Sequence, residues 1–262
     1  SKHPYRHIIG SLRYLEQCAR PDIAFALNRL SRYQVNPGLP HWNELKHLVR
    51  YVAGTHHHGI LFGENSYPQH AALKYDLSGP LECFVDSDHA ADKDTRRSTT
   101  GYVFYSRGGP ISWRSRLQNS TAISTTEAEF MAASDAACEN AWLRCLIGEL
   151  TNISCTRING LLIPKDIAAP KLSQRFYDNE APIKFNEDNQ ACIRVSENPV
   201  LHGRMKHIDL KYHRLKEFVS NGDCFLHYVP TSHQIADIFT KPLTKQSFTK
   251  FRDCLVIPMN AK

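Results

Sequence analysis

Apolar residues change their period along this chain, and the changes divide it. Up to residue 55 they recur every three or four positions. Ile23, Ala26, Leu27 and Leu30 form one stripe, with Pro21 near its start, where a missing N–H costs a helix nothing. Asn36-Pro37-Gly38 breaks that stripe. A second one runs through Trp42, Leu45, Val49 and Val52 and stops at Gly54. Residues 1–55 are therefore expected to form a helical segment. Residues 56–80 show no sustained period, carry His56-His57-His58, Gly59, Gly63, Pro68 and Pro80, and read as a linker. Adjacent histidines do not converge on one ion in a regular element, so a solvated turn is the expectation there.

From Leu81 the period falls to two. Leu81, Cys83 and Val85 alternate with Glu82, Phe84 and Asp86. Residues 101–106 and 109–113 also read as strands, joined by Arg107-Gly108-Gly109-Pro110. A long helix is predicted over 125–150, opening at the capping-box word Ser124-Thr125-Thr126-Glu127. Residues 152–182 have no clean period and read as an insertion. A strand over 183–188, helices over 189–196 and 208–220, a strand over 224–229 and a last helix from Ser232 complete the chain. This order predicts an α/β domain over 81–262, a mixed sheet with helices on both faces.

Composition narrows the class. The 262 residues are 42% hydrophobic and 22% charged, enough for a sizeable core and too apolar for a disordered chain. No run approaches the ~20 apolar residues of a membrane span. Ser1-Lys2-His3-Pro4 has neither Met nor an apolar signal core, as expected of a processed product or a fragment. The 8 cysteines form no C-x-x-C pair and are too sparse for a disulfide scaffold, so reduced thiols in a cytosolic or nuclear protein are expected. The net charge is +6, and residues 1–51, with eight Lys or Arg against three acids, supply most of it. That excess reads either as a solvated face or as a nucleic-acid backbone contact.

Acids occupy repeated structural positions in the second region. Asp86 and Asp188 fall at strand ends, Glu129 in the first turns of the long helix, and Asp237 at the opening of the last helix. Strand ends beside helix starts are where an α/β domain gathers distant side chains. Four carboxylates share a small space as anions only when cations neutralise them. Hard oxygen ligands select Mg²⁺ or Mn²⁺. Two glutamates compete for the helix position. Glu127 has capping-box spacing from Ser124, whereas Glu129 shares a face with Ala132, Ala133, Ala136 and Ala137, small residues that let a helix lie close to a sheet.

The words around these acids carry a resemblance. They are Phe84-Val85-Asp86-Ser87-Asp88, Arg96-Arg97-Ser98-Thr99-Thr100-Gly101, Ser124-Thr125-Thr126-Glu127-Ala128-Glu129, Glu187-Asp188-Asn189-Gln190, Lys206-His207-Ile208-Asp209 and Ala236-Asp237-Ile238-Phe239-Thr240-Lys241-Pro242. In order and spacing the chain resembles the ribonuclease H domain of copia-like retrotransposon reverse transcriptases. Arg20-Pro21-Asp22-Ile23, His41-Trp42 and Arg50-Tyr51 resemble the segment joining polymerase to nuclease in that family. The resemblance implies a ribonuclease H-like fold with a five-stranded mixed sheet. It implies hydrolysis of the RNA strand of an RNA–DNA hybrid, with Asp86, Glu129, Asp188 and Asp237 as catalytic acids holding two Mg²⁺ ions, for which Mn²⁺ can substitute. Asn189 and Gln190 fall where the family contacts the minor groove. Arg97, Lys206, Lys211 and Arg214 are the expected backbone contacts. Implied partners are the hybrid and the polymerase domain of a parent polyprotein, with no membrane. The implied location is cytoplasm, virus-like particles or nucleus.

The remaining polar residues keep two readings each. Asp88 is a turn former, the reading its position favours, or a further acid beside the site. Arg96 and Arg97 hold a phosphate or pair with Asp92 and Asp94. His233 is structural or aids turnover. Asn186-Glu187 depart from the family pattern by being polar where the fourth strand is apolar. Two other functions stand beside the nuclease: an inactive module that binds hybrid or polymerase, and a domesticated retroelement fragment.

Overall fold

The computed structural model describes residues 4–63, 67–73, 75, 77, 81–152, 182–197 and 214–259. The insertion over 152–182 and the basic stretch around Lys206 and Lys211 lie outside them, apart from their edges.

The N-terminal segment holds α1 (Tyr5–Ala19), α2 (Ala24–Ser31) and α3 (Leu39–Gly54). The two apolar stripes are α2 and α3. Helix α1 buries Tyr5, Ile9, Leu12 and Glu16, a helical spacing whose last member is charged. Together the three helices close a small core around Ile23, Leu27, Leu45 and Leu48. The stretch read as a linker contains β1 (His58–Gly59) and the short helix α4 (Pro68–Ala72).

The predicted mixed sheet is present. It comprises β2 (Glu82–Ser87), β3 (Thr99–Ser106), β4 (Gly109–Leu117), β5 (Ile183–Glu187) and β6 (Cys224–Tyr228), in the order β4-β3-β2-β5-β6. The first three form an antiparallel meander. Both φ angles of the connecting Arg107-Gly108 pair are positive, the twist a two-residue hairpin needs. Strands β2, β5 and β6 run parallel, which forces helical crossovers. These are α5 (Thr125–Asn152), followed after β5 by α6 (Gln190–Glu197) and α7 (Arg214–Ser220). They pack one face of the sheet, where Cys83, Val85, Phe104 and Phe185 meet Ala132, Ala133, Ala136 and Ala137.

The opposite face corrects one expectation. The last helix does not open at Ser232. Instead two 3-10 turns, Thr231–His233 and Ile235–Phe239, lead to α8 (Lys245–Arg252). Gln234 between them is extended, and its side chain accepts from Ala236 N–H, so no continuous helix forms. All five residues of the second turn are buried, held by tertiary packing rather than by an amphipathic stripe. The chain ends on β7 (Ile257–Pro258), which pairs with β1.

One set of contacts holds the helical segment together, and a second ties it to the sheet domain. Arg20 grips both oxygens of Asp22 at 2.8–2.9 Å and donates to the Thr55 carbonyl, while Tyr51 Oη donates to Asp22 at 2.6 Å. Arg32 pairs with Asp92 at 2.8 Å, and Asn28 donates to Ser115 Oγ.

Gly101 governs how closely the C-terminal turn approaches the sheet. It lies opposite Asp86, and a Cβ there would sit 2.6 Å from Thr240 Cγ2 and 2.7 Å from Phe239 Cβ. Gly101→Ala should therefore destabilise by about 1–3 kcal/mol through overpacking. Gly10→Ala, where a Cβ meets nothing within 4 Å, should hold or slightly raise stability. Thermal melting of the two variants checks this, and equal melting temperatures would contradict it.

Candidate metal centre

The site forms where two parallel strands part. The β2–β5 pairing ends at Phe84↔Asn186, leaving carbonyls without ladder partners just where Asp86 and Asp188 follow. Gln234, fully buried, fills that fork. Its Nε2 donates to Val85 O at 2.9 Å and to Asn186 O at 3.1 Å. One amide thus satisfies both strand ends and fixes the start of the turn that carries Asp237.

Asp86 points to the face of the C-terminal turn, where Thr240 Oγ1 donates to its Oδ2. Asp188 lies just past β5 and accepts from Thr231 Oγ1 at 2.6 Å. Glu129 comes from α5, whose alanine stripe is fully buried against the sheet. Gln118 pins the start of that helix, donating to Ala128 O at 2.9 Å and to Thr100 Oγ1 at 3.2 Å. In consequence the carboxylate oxygens of Asp86, Glu129 and Asp188 lie within 4.8 Å of one another. No other group of three or more metal-ligating side chains among the described residues converges in this way.

Glu127 has the other job. Glu127 N–H donates to Ser124 Oγ at 3.1 Å, as the capping box predicts. Its carboxylate accepts from Ile123 N–H at 2.8 Å, one residue before the Ser124 N–H that a capping box would use.

Asp237 stands to one side, in a 2.8 Å ion pair with Lys241 Nζ, which also approaches Asp86 Oδ2 at 3.9 Å. Sequence reasoning alone misses Glu187. It is fully buried, accepts from Asn189 N–H at 3.0 Å, and has no hydrogen-bond partner for Oε2. Its polar identity inside a strand is the available signal.

Burial drives the electrostatics. Desolvation, then Asp237, pushes Asp86 well above the usual carboxylate range. Desolvation, then Glu187, Asp86 and Asp188, does the same to Glu129. Glu187 is raised by desolvation despite the Asn189 hydrogen bond. Asp237 is raised by desolvation, against the pull of Lys241. Burial lowers the Lys241 ammonium, but Asp86 and Asp237 more than offset this and raise it.

The residues present fit a hard divalent cation. Three carboxylates converge, and the buried Oε2 of Glu129 has no hydrogen-bond partner. The nucleic-acid candidates are less concentrated. Asn189 Oδ1 accepts from Ala191 and Cys192 N–H at 3.0 Å, capping α6 and leaving its amide nitrogen for a ligand. Gln190 is exposed beside it. Arg97 is half-buried in the β2–β3 connection, and Arg214 is exposed and lies over the Phe218 ring. Lys206 and Lys211 lie outside the described residues. Asp88 accepts from Thr99 N–H and donates its own N–H to Thr99 O, the turn reading. Asp92 pairs with Arg32 rather than with Arg96 or Arg97. Tyr75 Oη holds the His233 carbonyl at 2.6 Å.

Comparison with known proteins gives the family. The chain is 35% identical over 249 residues to the retrovirus-related Pol polyprotein from transposon TNT 1-94 of Nicotiana tabacum, covering 95% of this chain and 16% of that protein. It is 36% identical over 247 residues to that from transposon RE2 of Arabidopsis thaliana, covering 94% of this chain and 14% of that protein. The chain belongs to the retrovirus-related Pol polyproteins of copia-like transposons. It spans about a sixth of the length of these relatives. RNase H1 from Halobacterium salinarum NRC-1 aligns with a TM-score of 0.38 and 14% identity over 62% of this chain and 95% of that one. No protein-family model matches the chain.

Raised carboxylate pKa values have a stability consequence. The folded state holds the protons more tightly, so stability present below the ordinary carboxylate range, about pH 4, is lost as pH rises through the raised values of Asp86, Glu129 and Glu187. In chelator the melting temperature should fall from pH 5 to pH 8, by about 2–4 °C for each kcal/mol lost. Mg²⁺ should reduce that fall. A melting temperature that rises over this range in chelator would contradict the site's electrostatics.

Proposed function

We propose that this chain is a divalent-metal-dependent endonuclease that hydrolyses the RNA strand of RNA–DNA hybrids during reverse transcription of a copia-like element. The convergence of Asp86, Glu129 and Asp188 within 4.8 Å, with Asp237 adjoining, carries this reading. Four acids are the donor set that two hard divalent ions require, and the orphaned Glu129 oxygen supports a ligand there. Mg²⁺, or Mn²⁺ in its place, supplies a water made nucleophilic at neutral pH and charge stabilisation for the leaving 3′ oxygen.

The chain's own residues do the rest. Asp86 is held by Thr240 and Asp188 by Thr231, which restrains both carboxylates before substrate arrives. The Asn189 amide nitrogen and Gln190, beside the site, suit a ribose 2′-hydroxyl, which distinguishes RNA from DNA. Arg97, Arg214, Lys206 and Lys211 supply phosphate contacts, which makes binding weaken with salt. The parent polyprotein's polymerase domain is the natural partner, and no described helix is long and apolar enough to cross a membrane.

A labelled hybrid tests the reading. Wild type should cut its RNA strand in Mg²⁺ or Mn²⁺, leave DNA duplex intact, and lose activity in chelator. Asp86→Asn and Glu129→Gln should abolish cutting. Glu127→Gln should keep most activity and cost less than about 1 kcal/mol, because a glutamine oxygen can still accept from Ile123 N–H. Full activity in excess chelator, or a dead Glu127→Gln beside an active Glu129→Gln, would overturn the assignment. Tight hybrid binding without cutting would favour the inactive module.

A further inference from the structure

The four acids are not equivalent. Asp86, Glu129 and Asp188 converge, but Asp237 is outside that group and already has a counter-ion. Lys241 Nζ lies 2.8 Å from Asp237 Oδ1 and 3.9 Å from Asp86 Oδ2, bridging the two carboxylates as a cation would. The Asp237 contact is the shorter and stronger of the two. The backbone fixes the reach: Lys241 N–H donates to Asp237 O at 3.2 Å, which sets the two side chains one turn apart. The Lys241 side chain is 35% exposed, so its flexible stem has a way out to solvent.

We propose that Lys241 is a resident monocation that neutralises the Asp86–Asp237 side of the site until a divalent ion displaces it. The proposal rests on the reading that these acids bind divalent ions. An ammonium and a divalent cation repel when they share the same two carboxylates, so both cannot occupy that side. Loading is then ordered. The Asp86–Glu129–Asp188 side takes an ion first, and the Asp237 side takes one only as Lys241 leaves. Lys241 is thus a positioning residue: it partly offsets the mutual repulsion of Asp86 and Asp237, holds the two side chains in place, and makes the second ion the weaker one.

The test counts Mn²⁺ bound to the full chain without nucleic acid, by the electron paramagnetic resonance signal of free Mn²⁺. The proteins are wild type, Lys241→Met, Lys241→Gln and Lys241→Arg. Wild type should bind one ion tightly and a second at least about tenfold more weakly, a separation set by the competing charge. Lys241→Met and Lys241→Gln should tighten the second ion about tenfold or more and the first much less. Lys241→Arg keeps the charge and should behave like wild type. In chelator Lys241→Met should melt below wild type, and Mn²⁺ should close the gap. Two-site binding with an unchanged or weaker second ion in both neutral variants overturns this inference alone. Failure of wild type to bind any Mn²⁺ overturns the metal reading and this inference with it. If Lys241→Met does not fold, the Lys241→Gln titration decides between the same outcomes.

Discussion

Carboxylates buried a few ångström apart repel one another, and the structure concentrates four of them, with the half-buried Asp188, at the ends of the central strands of a sheet. Asp86, Glu129, Glu187 and Asp237 all resist ionisation there, chiefly because burial removes water that would stabilise their charge. A fold gains no stability from such a cluster. It holds together through surrounding contacts and through whatever cation enters. Much of the architecture around these strand ends serves those two needs.

The contacts are specific. Gln234 fills the fork between β2 and β5 and satisfies both strand ends. Gly101 leaves room for the Ile235–Phe239 turn to press Thr240 against Asp86. Four alanines bring α5 close enough for Glu129 to meet Asp86 and Asp188. Behind these, Arg20, Asp22, Tyr51 and Thr55 bind the helical segment together, while Arg32 and Asn28 anchor it to the sheet. The site therefore depends on packing from distant parts of the chain, on both faces of the sheet.

Much of this is legible in the sequence. The period-two alternation from Leu81, the Ala132–Ala137 stripe and the capping word before Glu127 point to β2, to the sheet-facing side of α5 and to its start. They also separate Glu127 from Glu129 by pattern alone. The C-terminal turn is not legible, because Ile235–Phe239 is buried on every residue and so shows no helical stripe. Gln234 and Lys241 escape for another reason. Their roles are set by strands and acids that tertiary structure brings near, and a lone Gln or Lys gives no local pattern. Glu187 is visible as one of the polar residues of β5, but only its burial and its unpartnered oxygen give it meaning.

The central claim is that the acid cluster is a cation site completed by the fold rather than a patch of turn-forming residues. Anomalous scattering from a crystal soaked in Mn²⁺ tests it directly. The account predicts a peak at coordinating distance, about 2.0–2.3 Å, from oxygens of Asp86, Glu129 and Asp188. A crystal that keeps those three carboxylates together yet shows no peak among them at saturating Mn²⁺ would contradict it.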